Sequence, residues 1–245
     1  MTAYYNEFDP FAAEWLRNLI KAGHIAPGDV DERSILDVKA DDLKSYTQCH
    51  FFAGIGGWSL ALRIAGWNDD RPVWTGSPPC QPFSSNGKKG GFNDERHLLP
   101  QWLELIRERK PSRIFGEQVA ASIKDGWLDL LCEGLGDSGY EVAPAVLEGH
   151  IVGSPQGRER LYFAATSDAS DGIDKTIGTQ CAVGDMEDSP WKDVEWYTSS
   201  DGRKFCHKPG LSLLAHGFPF RVGRLRAYGN AIIPQLAAQF IKATM

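Results

Sequence analysis

"QCHFFAGIGGWSLALRIAGW", residues 48–67, joins a short apolar run to a glycine cluster and then to a helical pattern. The run at 49–53 reads as a strand, the glycines at 54–57 as a turn, and 58–65 as a helix that Gly66 stops. Glycine lacks a Cβ, so the backbone of such a turn can approach a ligand held at the helix amino terminus. The same pattern also fits an ordinary tight turn, and the rest of the chain has to separate the two.

The next apolar run, "RPVWTGS", reads as a second strand and ends at a cysteine set among prolines, "TGSPPCQPFSSNGKKGGF" at 75–92. Pro78 and Pro79 restrict the backbone ahead of Cys80, and Pro82 follows it. A strand end at the carboxyl edge of a sheet is where open α/β folds place their ligands. Cys80 is therefore a candidate nucleophile; a buried structural thiol is the ordinary alternative. The Ser-Asn-Gly-Lys run after it reads as a hinged lid.

Further along, "LLPQWLELIRERK" is an amphipathic helix and "SRIFGEQV" a strand with Glu117 near its carboxyl end. Adjacent parallel strands would bring Glu117 and Cys80 into one crevice, where a carboxyl group can exchange a proton with a ring nitrogen. A helix follows at "WLDLLCEGLGDSGY", then strands at "EVAPAVLEG" and "GRERLYFAAT". In "PQGRERLYF", Arg158 and Arg160 alternate around Glu159, so both guanidinium groups share a strand face. They suit a base carbonyl and a phosphate, or a plain salt-bridge face. Alternating strands and helices predict an α/β fold with a mostly parallel sheet.

The flanks differ in character. "FAAEWLRNLIKA" (11–22) has helical spacing, while "IAPGDVDERSILDVKADDL" is polar and acidic, a small cap with one short helix. Residues 167–200 are small, polar and aperiodic; "VEWYTSSDGRKFCHK" reads as a hairpin around Ser-Asp-Gly. A last helix opens near Pro234.

Composition narrows the class. A hydrophobic content of 42% supports a full core in 245 residues, and no apolar run approaches a membrane span of ~20 residues. The acidic, aromatic start "MTAYYNEFDPF" is not expected to act as a secretion signal. The five cysteines (Cys49, Cys80, Cys132, Cys181, Cys206) form no CxxC pair, so no metal site and free thiols in a reducing cytoplasm are expected. A net charge of −6 excludes a globally basic nucleic-acid coat but not an enzyme with one basic face. The positive clusters "NGKKGG", "QGRERL", "GRKFCHK" and "RVGRLR" stand apart from the acidic ones.

Taken together, "FAGIGG", "PPCQPFS", "GEQV", "QGRER" and "YGNAIIPQLA" resemble, in order and over about residues 50–245, the DNA cytosine-5 methyltransferase family. The resemblance implies a Rossmann-like methyltransferase fold using S-adenosyl-L-methionine, with double-stranded DNA as partner. It implies that a stacked cytosine swings out into the pocket. Cys80 adds to C6, Glu117 holds the N3 edge, Arg160 holds O2 and Arg158 supports the nucleophile loop. Cofactor contacts fall on Phe52, Ala53, Gly54, Ile55, Gly56, Gly57 and Pro79, and on Asn230 and Ala231 before the closing helix. DNA contacts fall on Gln81, Ser84, Ser85, Lys88 and Lys89, and on Arg203 and Lys204 in the hairpin.

The pattern departs from the family in four places. His50 stands where an aspartate is usual, and Gln118 where an asparagine is usual. Only thirteen residues (67–79) separate Gly66 from Cys80, too few for the strand, helix and strand that dinucleotide-type folds insert there. With them goes the acid for the ribose hydroxyls, expected ~20 residues past the glycines, where Thr75 and Gly76 stand. Asp69 and Asp70 come sooner and cannot be assigned that role. The expectation is a sheet trimmed after its first helix, and with it two alternatives: another one-carbon donor, or a non-catalytic DNA-binding paralogue. The reader of DNA sequence is also small, which suggests a lenient site or help from a second subunit, a homo-oligomer or a partner. The expected organisation is an amino-terminal extension at 1–48, catalytic segments at 49–166 and 211–245, and a recognition insert at 167–210.

Overall fold

The computed structural model describes residues 2–79, 98–154, 158–167, 195–198, 204–207 and 231–245, with backbone alone at 195–198 and 204–207. Its centre is a seven-stranded sheet. In chain order the elements are β1 (Thr2–Asn6), α1 (Pro10–Lys21), β2 (Gly28–Asp31), β3 (Tyr46–Phe51), α2 (Gly57–Ala65), β4 (Val73–Gly76), α3 (Leu99–Arg109), β5 (Arg113–Val119), α4 (Trp127–Asp137), β6 (Glu141–Glu148), β7 (Glu159–Thr166), β8 (Glu195–Thr198), β9 (Lys204–His207) and α5 (Pro234–Ala243). Strand order is β2-β1-β3-β4-β5-β7-β6. The first five strands run parallel, and β7 is antiparallel to both its neighbours.

The α/β fold with a mostly parallel sheet is the one expected from the alternation of elements. The trimming is not. The missing strand-helix-strand unit is present, but the chain encodes it ahead of the glycine turn rather than behind it. β1 pairs along the full outer side of β3, with Tyr5 opposite His50 and Asn6 opposite Phe51. β2 then pairs outside β1. Residues expected to form a polar acidic cap are therefore an edge strand followed by two short 3-10 turns, at Ile35–Asp37 and Ala40–Leu43. An edge strand flanked by solvent needs little apolar surface, so "GDVD" carries no periodic signal. Gly28 is obligatory there: a Cβ would lie 1.9 Å from the Ala3 carbonyl oxygen.

Local chemistry explains the element ends. Asp9 caps α1, its carboxylate accepting from Phe11 N at 2.8 Å and Ala12 N at 3.2 Å, with Pro10 at the first helical position. Gly66 closes α2 in the left-handed region at φ 85°. Two apolar layers sandwich the sheet. On one face α2 and α5 pack with Trp58, Phe115, Tyr162 and Phe240 buried between them. On the other, α3, α4 and the two 3-10 turns enclose Phe51, Trp74, Trp102, Trp127 and Phe163. The β8–β9 hairpin forms as expected, pairing Trp196 with Cys206. Among the described residues no helix is long and apolar enough to cross a membrane.

Candidate active site

The carboxyl ends of the parallel strands β1, β3, β4 and β5 open on one edge of the sheet. At β3 the chain enters its glycine turn under strain: Phe52 takes φ 53°, in the left-handed region disfavoured for a bulky side chain, and Gly54 and Gly56 follow at 55° and 80°. The turn is braced from β1, since Ala53 N donates to Asn6 O at 3.0 Å and Gly54 N to a Glu7 carboxylate oxygen at 2.7 Å. A Cβ added to Gly54 would meet nothing within 4 Å, so there is free space beside the turn. Gly57 is the opposite case: its Cβ would lie 2.7 Å from Ile232, where the closing segment seats on α2. Of the residues expected at the cofactor, Phe52 through Gly57 therefore come together with Ile232, the neighbour of Ala231. Pro79 lies at the end of the segment leaving β4, and Asn230 lies outside the described residues.

Glu7 is the residue that sequence reasoning missed. It sits where β1 ends beside the turn, its second oxygen accepting from Asp9 N at 2.9 Å. Burial raises its pKa, opposed by the N–H groups of Asp9 and Gly54. Phe8 beside it is 72% exposed. The signal lay in "TAYYNEFDPF", a short apolar run followed by an acid and then an Asp-Pro helix start.

The second cluster lies at the ends of β5 and β7. The antiparallel register puts Glu117 opposite Tyr162 and Val119 opposite Arg160, so Glu117 and Arg160 are diagonal neighbours on one face. Their ion pair closes at 2.9 Å between Arg160 Nε and Glu117 Oε1, with the N–H off the line of a good hydrogen bond. Glu117 is only 6% exposed. Burial pushes its pKa up, while the Arg160 and Arg158 charges pull the other way. Arg158, half-buried just before β7, has its own pKa lowered by burial and then by the like charge of Arg160. One carboxyl group poised towards its protonated form, flanked by two cations, can donate to a ring nitrogen and hold a neighbouring carbonyl.

Between the clusters runs Ser77–Pro79, which leads into Cys80. Pro78 is buried, and its carbonyl accepts from Gln118 Nε2 at 2.9 Å. The glutamine thus ties this segment to β5. Cys80, Gln81, Ser84, Ser85, Lys88, Lys89 and Arg203 lie outside the described residues, and Lys204 is described only as backbone in β9. His50, which replaces the usual aspartate, is buried against Tyr5 at 4.9 Å between ring centroids and pairs through Nδ1 with Thr75 Oγ1 at 2.8 Å.

A mostly parallel sheet with an antiparallel strand inserted beside β5 is the arrangement of a Rossmann-like methyltransferase fold. The model of the C-5 cytosine-specific DNA methylases matches residues 68–182. The chain is similar to that family over these residues. It is 34% identical over 138 residues to the type II methyltransferase M.NlaX of Neisseria lactamica, covering 54% of this chain and 44% of that protein. To M.HhaI of Haemophilus parahaemolyticus it is 26% identical over 168 residues, covering 53% and 51%. The chain thus spans about half the length of these curated relatives. Among solved structures, a Spodoptera frugiperda DNMT2 mutant matches at a TM-score of 0.47 and 19% identity, over 68% of this chain and 43% of that one.

Proposed function

We propose that this chain is a DNA cytosine-5 methyltransferase that works on a cytosine turned out of double-stranded DNA. The observation that carries this reading is the buried Glu117, paired with Arg160 and acted on by Arg158, beside the segment that delivers Cys80. The Cys80 thiolate forms a bond to C6 of the ring, and the electron pair moves towards C5. Glu117 stabilises that shift at N3, which its raised pKa favours because the protonated form is the donor. Arg160 holds O2, and Arg158 supports the nucleophile loop. After C5 has gained a methyl group, a base takes the C5 proton, the C5–C6 double bond re-forms and the sulfur leaves.

S-adenosyl-L-methionine supplies an electrophilic methyl group when bound. The residues present fit it. Glu7 offers a carboxylate to the ribose hydroxyls, Phe8 an exposed ring to a purine, and Phe52–Gly57 an open backbone turn at the start of α2. The apparent lack of a ribose acid was the reason to consider another one-carbon donor, and Glu7 removes that reason. Pro79, Asn230 and Ala231 complete the cofactor side in this reading. Gln81, Ser84, Ser85, Lys88, Lys89, Arg203 and Lys204 serve the DNA, chiefly at phosphates. A cytoplasmic enzyme of the restriction-modification kind, with a second subunit aiding recognition, fits the small insert.

The test is methyl transfer from labelled S-adenosyl-L-methionine to duplex DNA. Label at cytosine C5 with the natural chain, and none with Cys80→Ala, is expected. No label with either ends the proposal.

A further inference from the structure

The segment Ser77–Pro79 is gripped from both faces of the sheet. From the α2 face, Trp58 Nε1 donates to Ser77 Oγ at 3.0 Å. From the other face, Gln118, which alternates with Glu117 along β5, donates to the Pro78 carbonyl, while its Oε1 accepts from Val119 N at 2.8 Å. Neither anchor is free to wander. Trp58 is 4% exposed, stacked on Phe115 at 6.3 Å and edge-on to Tyr162 at 6.1 Å. Gln118 is 3% exposed with both ends of its amide engaged. Pro78 and Pro79 each have φ locked by the ring, which leaves few free torsions between these anchors and residue 80.

We propose that Trp58 is a positioning residue for the nucleophile, acting through Ser77, with Gln118 as the opposing anchor. The proposal rests on the reading of Cys80 as that nucleophile. Packing alone would be served by any large aromatic ring at position 58. The indole adds a donor, and that donor is spent on the loop rather than on its own helix. Trp58 directly follows the glycine turn, so this bond joins the cofactor side of the crevice to the nucleophile side. Breaking it loosens the aim of the sulfur while leaving both binding sites in place, and reaction rates are sensitive to such misplacement.

Trp58→Phe and Ser77→Ala remove the same bond from opposite ends. The readout is covalent-adduct formation on 5-fluorocytosine duplex DNA in a single turnover at saturating cofactor. Each variant is expected to react about fivefold more slowly, and the double variant no more slowly than either single one. Affinity for S-adenosyl-L-homocysteine stays within about twofold, which a general loosening of the fold would not allow. Ser77→Thr, which keeps a hydroxyl, restores the rate. Ser77→Ala carries the test by itself if Trp58→Phe fails to fold. A Ser77→Ala rate equal to that of the natural chain overturns the proposal, as do losses that add in the double variant. If the natural chain forms no adduct, the reading of Cys80 falls and this proposal with it; a normal adduct that the variants leave unchanged removes this proposal alone.

Discussion

The two halves of the crevice are built by different means. On the half proposed for the cofactor, β1, β3 and the glycine turn offer mainly backbone: left-handed residues at Phe52, Gly54 and Gly56, and one carboxylate, Glu7. On the half proposed for the base, β5 and β7 present charged side chains, Glu117 with Arg160 and Arg158; burial raises the Glu117 pKa and lowers that of Arg158. A backbone site is insensitive to most substitutions but depends on which strands lie beside it. A side-chain site is the reverse. The strand-helix-strand unit can therefore sit ahead of the glycine turn in the chain, provided β1 still ends next to it.

That contrast can be broken experimentally. The largest effect is expected on the base half, where Glu117→Gln should lower the single-turnover rate by about 10²–10⁴-fold. Cofactor affinity should be unaffected, and an equal loss in both would blur the two halves into one. Next comes the frame of the cofactor half. Gly28→Ala forces a Cβ into the Ala3 carbonyl, and about 2 kcal/mol of stability should be lost in one cooperative denaturant transition. A separate early transition for β1–α1–β2 would show that the unit is an appendage.

A third effect, read through pH, concerns His50. Burial depresses its pKa from 6.5 to about 3, so its contribution to stability is complete above the unfolded value and declines as pH falls below it. The slope should reach about 1.4 kcal/mol per pH unit between those limits. His50→Gln should flatten it, as measured by denaturant midpoints across that range.

The sequence made the base half legible because its information is local. Cys80 sits among prolines, Glu117 ends an apolar strand, and Arg158 and Arg160 alternate on one. The strands β3 to β7 and the helices between them follow from apolar periodicity, as does α1. β2 did not, since four residues at an exposed edge need no apolar pattern. Glu7 was hidden for a different reason. Counting ~20 residues past the glycines assumes one order of units along the chain, and spatial adjacency does not require it. Phe52 could be placed at the turn, but no property of phenylalanine announces a positive φ. The Trp58–Ser77 and Gln118–Pro78 bonds were equally invisible, because each joins residues 19 or 40 positions apart through side chains of neutral type.

The central claim is that residues ahead of the glycine turn complete the cofactor pocket, and Glu7 tests it most directly. Calorimetric titration with S-adenosyl-L-homocysteine should give about tenfold weaker binding for Glu7→Gln. Because burial raises the Glu7 pKa and the ribose hydroxyls need its carboxylate form, affinity of the natural chain should fall as pH is lowered through that raised value, while the variant stays flat. Equal affinity and the same pH profile in both proteins would contradict the account.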